Sequence, residues 1–173
     1  MTNDPIRMMK STLAALTVVS SFVVHQSSFA QAPSLIAEGR EALASDIPEV
    51  AIGKLRQALA NLPAGSAERP AAMALLAEAQ LNTSRAADAL DTLAQVAPGD
   101  DARIVRLRAL SLTALARWDE AIVQFEKLAA SEADKTAALV GKAECLQSLG
   151  RTQEAADMLK PPALSNCAMS VRS

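Results

Sequence analysis

The chain has 173 residues, enough for one domain with a real core and short for two. Aromatics make up 2%, tyrosine is absent, and alanine and leucine dominate, so helix is favoured over sheet. A net charge of -2 and an isoelectric point near 5.5 exclude a broad nucleic-acid footprint, which needs clustered excess lysine and arginine.

Residues 1–30 read as a cleavable signal peptide. Arg7 and Lys10 form a positive flank, Leu13 to Val24 a short apolar run, and Ser28-Phe29-Ala30 a small-residue cleavage pattern before Gln31. The run is shorter than the ~20 residues a permanent bilayer span requires. The expected location is therefore the periplasm or the medium, with membrane contact only transient. No cysteine stands just after the run, which argues against a lipid anchor. Without Asp4, Arg7 and Lys10, the 19 acids and 17 bases become 18 and 15, a net charge of -3. His25, the single histidine, leaves with the same segment. A chain without histidine lacks the usual general base of serine and cysteine mechanisms and the commonest metal ligand.

From residue 31 onward one pattern recurs. Asp46 to Ala51, Ser84 to Ala89, Ala116 to Ala121 and Gly150 to Ala155 each read as a turn and then a helix start, with the closing alanines 38, 32 and 34 residues apart. Four residues beyond those alanines stand Leu55, Leu93, Phe125 and Leu159; twelve before them stand Gly39, Ala77, Ala109 and Ala143. Small residues at matched places let two helices approach, and the large one fills the space between them. In the preceding segments, Ile104, Leu107 and either Leu110 or Ser111, and Leu139, Ala143 and Leu146, keep helical spacing. Pro33, Pro48 and Pro70 fit first turns, whereas Pro63, Pro98-Gly99 and Pro161-Pro162 follow helix ends. The expected helices are 33–45 with 48–61, 68–82 with 85–97, 101–115 with 118–130, and 134–149 with 152–160. They make an all-α helical-repeat solenoid of about four antiparallel pairs, with domain limits at 31–160 and an irregular tail at 161–173.

The pattern resembles the tetratricopeptide repeat. The third repeat carries the resemblance through Ala109, Trp118, Ala121, Phe125 and Leu128, the fourth through Ala143, Leu149-Gly150-Arg151, Ala155 and Leu159. The first contributes Gly39, Ala51, Leu55, Ala58 and Pro63; the second matches at Ala77, Ala89 and Leu93. Alanine or leucine replaces most of the family's aromatics. The resemblance implies a right-handed stack whose first helices line a groove for a peptide or helix of another protein. Carried over position by position, that groove holds Glu78, Asn82, Arg103, Arg106, Leu107, Leu110, Glu144 and Gln147. Arg103 and Arg106, one turn apart, either grip a carboxylate together or form a solvated face, with Arg106 and Arg108 paired to local acids. The family's clamp for acidic C-terminal peptides is not reproduced. Trp118 and Phe125 are expected in the core.

No cofactor, metal spacing, phosphate loop or paired-carboxylate centre is legible, and the chain is expected not to be an enzyme. Cys145 and Cys167 are either a helix-to-tail disulfide or two separate thiols. Repeat stacks usually end in a polar helix, and here Pro161-Pro162 intervenes. The final apolar face is then covered by a partner, by a second copy, or the chain is a truncated product. The leading expectation is a non-enzymatic protein-binding scaffold of the bacterial envelope; the alternative is an assembly subunit that self-associates through uncapped repeat faces.

Overall fold

Good helix formers run almost unbroken from Gln31 to Leu159, and turns interrupt them at regular distances. In the computed structural model, which describes residues 31–97, 99 and 101–159, this gives helices and no strand among the described residues. They are α1 (31–44), α2 (Pro48–Asn61), α3 (Arg69–Asn82), α4 (Ala86–Ala94), α5 (Ala102–Ala114), α6 (Trp118–Leu128), α7 (Lys135–Ser148) and α8 (Thr152–Leu159). The expected leader, Pro98, Pro161-Pro162, Cys167 and the tail lie outside the described residues.

The turn inside each repeat is built the same way four times. Asp46, Ser84, Ala116 and Gly150 adopt left-handed φ of 56°, 60°, 56° and 77°. The next residue's N–H then donates back five residues, from Ile47 to Ala42, Arg85 to Gln80, Arg117 to Leu112 and Arg151 to Leu146, at 2.8–2.9 Å. This is the Schellman cap, which satisfies carbonyls that a helix end would otherwise leave bare. The carbonyls of Ile47, Arg85, Arg117 and Arg151 in turn accept the first bonds of α2, α4, α6 and α8, from Ala51, Ala89, Ala121 and Ala155. A helix thus stops and its successor starts within three residues, as the repeated sequence requires.

The chain divides into two compact units between Ala79 and Gln80. In the first, Ala42 of α1, Ala51, Ile52 and Leu55 of α2, and Leu75, Leu76 and Ala79 of α3 form one buried cluster. Gly39 lies against Leu55: a Cβ there would stand 2.7 Å from the leucine Cγ. The anticipated small-against-large contact is therefore direct at this pair. Arg69 Nη1 donates to the carbonyls of Leu59 and Leu62 at 3.0 and 3.1 Å, closing the end of α2.

In the second unit α4 packs on α5, α5 on α6, α6 on α7 and α7 on α8. Its core gathers Val105, Ala109, Leu112, Ala121, Ile122, Phe125, Leu128, Ala138, Ala143, Cys145, Leu146 and Ala155, with Trp118 partly buried against it. Gly141 lies under the Phe125 ring, closer than any Cβ could be. Gln80 and Thr92, both buried, hydrogen-bond at 2.9 Å and so satisfy each other in an apolar setting.

Some particulars differ from expectation, and the choice between Leu110 and Ser111 is settled. α4 ends at Ala94 rather than 97, because Val96 N–H turns back to the Leu93 carbonyl and Arg108 Nη2 takes the Leu93 and Val96 carbonyls at 2.9 and 3.2 Å. Arg108 is thus a helix-end cap and not the partner of an acid. Between Leu110 and Ser111, the structure buries the serine and leaves the leucine 45% exposed. The serine fits because it is small and its hydroxyl donates to the Leu107 carbonyl at 2.8 Å. Leu159, aligned with the buried Leu55, Leu93 and Phe125, is 49% exposed; α8 buries only Ala155.

Candidate functional site

The surface suggested by the resemblance runs along α5 and α7 in the second unit. Two contacts tie these helices together. Arg106 pairs with Asp134 at the start of α7. Further along, Thr113 Oγ1 lies 3.6 Å from Cys145 Sγ. These ties bracket Leu110 on α5 and Val140 on α7, which are 45% and 46% exposed. Arg103 and Arg106 lie exposed on the N-terminal side of Leu110, and Glu144 and Gln147 lie exposed on the C-terminal side of Val140.

The remaining residues fall in different settings. Leu107 is 6% exposed and belongs to the packing beneath this surface. Asn82 is exposed at the end of α3, and Glu78 is half-buried on α3 in the first unit. The Arg106 guanidinium is engaged by Asp134, so an incoming acid at Arg106 would compete with Asp134. Val140 was not singled out from sequence, because periodicity alone does not say which side of α7 lacks a neighbour.

Charge near these helices is arranged in ion pairs. Arg117 holds Glu120 through two bonds of 2.7 and 2.6 Å, and Arg151 holds Glu154 at 2.8 and 2.6 Å. The hydrogen bond to Glu120 raises the Arg117 pKa, and that to Glu154 raises Arg151 while lowering Glu154. All four side chains are exposed, so screening limits what the pairs add to stability. Cys145 is buried, and loss of solvent pushes its thiol pKa up. A buried thiol with a raised pKa is a weaker nucleophile than an exposed one.

Two open clefts of about 420 and 440 Å³ lie in this unit. The first is lined by Ala102, Val105, Lys127, Leu128, Ala130 and Ser131; the second lies beside Ser84, Arg85, Asp88 and Leu115. Among the described residues no three histidine, cysteine or acidic side chains are grouped for a metal, and no helix is long and apolar enough to cross a membrane. Compared with known protein families and with curated proteins, the chain matches no family profile and no curated sequence.

Proposed function

We propose that this chain is a tetratricopeptide-type scaffold of the bacterial cell envelope, a right-handed stack that binds a peptide or helix of another protein without catalysis or cofactor. The carrying observation is that Leu110 on α5 and Val140 on α7 are both half-exposed, on two helices that Arg106–Asp134 and Thr113–Cys145 join, with Arg103, Arg106, Glu144 and Gln147 exposed on the same two helices. Apolar anchors rimmed by charge suit a short segment that presents a large apolar side chain. The four identical caps support a true repeat, and repeat stacks offer extended surfaces rather than reactive centres. Export rests on the leader read in residues 1–30, and purified protein whose N-terminus is Gln31 is the expected result.

Photoreactive residues at Arg106 and at Gln147 test the surface in living cells. Both positions should trap the same partner, and Leu110→Asp should abolish both adducts while leaving the helical signal unchanged. A control position at Val123, on α6 and 48% exposed, should trap nothing specific. Adducts at Arg106 and Gln147 that match those at Val123 would remove this reading.

A further inference from the structure

The repeats serve as internal controls for one another. The second helix of a pair turns one stripe inward: Ala51, Ile52, Leu55 and Ala58 on α2, and Ala121, Ile122, Phe125 and Leu128 on α6, are all buried. On α8 the matching residues are Ala155, Ala156 and Leu159. Ala155 alone is buried there, and Leu159 is 49% exposed. The earlier repeats show why. Leu55 shares its cluster with Leu75, Leu76 and Ala79 of α3, and the Phe125 ring lies on Gly141 of α7. Each large residue is covered by the first helix of the next repeat. Among the described residues, α8 has no such successor.

The sequence beyond α8 repeats the spacing of the earlier connections. Residues 62–68 join α2 to α3, 95–101 join α4 to α5, and 129–134 join α6 to α7. Pro63 stands two residues beyond the end of α2, and Pro161 two beyond the end of α8. A proline there stops one helix and leaves the next free to start. α3 begins six residues after Pro63, and the same count from Pro161 reaches Cys167. The fourth residue of α3, α5 and α7 is Ala72, Val105 or Ala138, whose N–H donates to the carbonyl just ahead of the helix. These three are 0%, 4% and 1% exposed. Counted from Cys167, the fourth residue is Ser170, small like Ala72 and Ala138. Val171 follows at the place of Met73, which is 4% exposed. Arg172 falls at the place of Val140, which is exposed on α7.

We propose that residues 167–173 form two helical turns that cover Ala156 and Leu159, in the place that α3 and α7 take on α2 and α6. Val171 then packs against Leu159, and both leave water. The connection selects this occupant, because one of the same length and proline position already brings α3 onto the stripe of α2. A second copy would compete with a segment tethered seven residues away, whose effective concentration is on the order of millimolar. The cover closes this end of the stack to further copies. It also separates the two thiols. Between α5 and α7, the fifth residue Arg106 meets Asp134 just ahead of α7, and the twelfth, Thr113, meets the eleventh, Cys145. In that register Cys167, at the start of the segment, lies far along the helix from Cys145. The inference concerns α8 and is independent of the groove on α5 and α7.

Leu159→Trp in a Trp118→Phe background places a single indole on this face of the otherwise unaltered chain. Its emission should be blue-shifted at every protein concentration, and Val171→Asp should shift it to the red while the helical spectrum stays. Amide exchange on the unsubstituted chain avoids any cost of the bulkier indole. The N–H groups of Ser170 and Val171 should exchange at least about tenfold more slowly than in the unfolded chain. Mild oxidation should leave Cys145 and Cys167 unlinked by mass. Emission that ignores Val171→Asp overturns the proposal, as does unprotected exchange at both amides. A blue shift that appears only at high concentration would assign the face to a second copy instead. A Cys145–Cys167 disulfide would show that the segment lies in another register.

Discussion

Cys145 illustrates how one side chain is read twice. By sequence it is either half of a disulfide with Cys167 or a separate thiol; in the fold it is fully buried beside Thr113, and burial pushes its thiol pKa up. A group whose folded pKa lies above its unfolded value favours folding fully below the unfolded pKa. That contribution is lost as pH rises through the folded pKa. The unfolding free energy should therefore fall as pH is raised above the ordinary thiol range of about 8.5. Cys145→Ala should remove that part of the slope, as urea titrations at stepped pH would measure. In a Cys167→Ser background, the remaining thiol should resist alkylation at neutral pH until the protein unfolds. Rapid modification of folded protein would contradict the burial argument.

At the scale of elements, the turn inside each repeat carries the most consequence. It demands a left-handed residue, and only the fourth repeat supplies glycine, at Gly150. Asp46 and Ser84 have short polar side chains, whereas Ala116 has nothing to offset the clash of its Cβ with the backbone. Ala116→Gly should stabilise the chain by about 1 kcal/mol, and Gly150→Ala should destabilise it by a similar amount. Denaturant midpoints compared at equal slope would measure both. The opposite sign at either position would mean that the cap is not formed. Arg69 and Arg108 add a second device, since each closes the C-terminal end of the helix before its own. No charge-pair search of the sequence would have found these arginines, because their partners are backbone carbonyls.

For the whole molecule, a chain of helix pairs implies stability that is locally held and shared between neighbours. Gly141→Ala forces a methyl group into the Phe125 ring, so it should cost about 1–3 kcal/mol through overpacking. Phe125→Leu should relieve part of that cost, giving coupling between the two substitutions. Amide exchange should then quicken first in α6 and α7, and last in α1 and α2. Uniform loss of protection along the chain would instead show one all-or-none unit.

Much of the fold was legible in residues 31–159, for a local reason. Helix periodicity, first-turn prolines and the turn residues at 46, 84, 116 and 150 depend on chemistry within a few positions, so the observed helices start and stop within a few residues of the expected limits. The contact of Gly39 with Leu55 was readable too, because both belong to one helix pair joined by a tight turn. Tertiary packing alone decided which face of each helix found a neighbour. It buried Ser111 and exposed Leu110, set Phe125 on Gly141 of the following repeat, and gave Arg106 to Asp134 and Arg108 to α4. These outcomes depend on residues about 15 to 30 positions away, and a period of 3.6 carries no information about which neighbour arrives on which side.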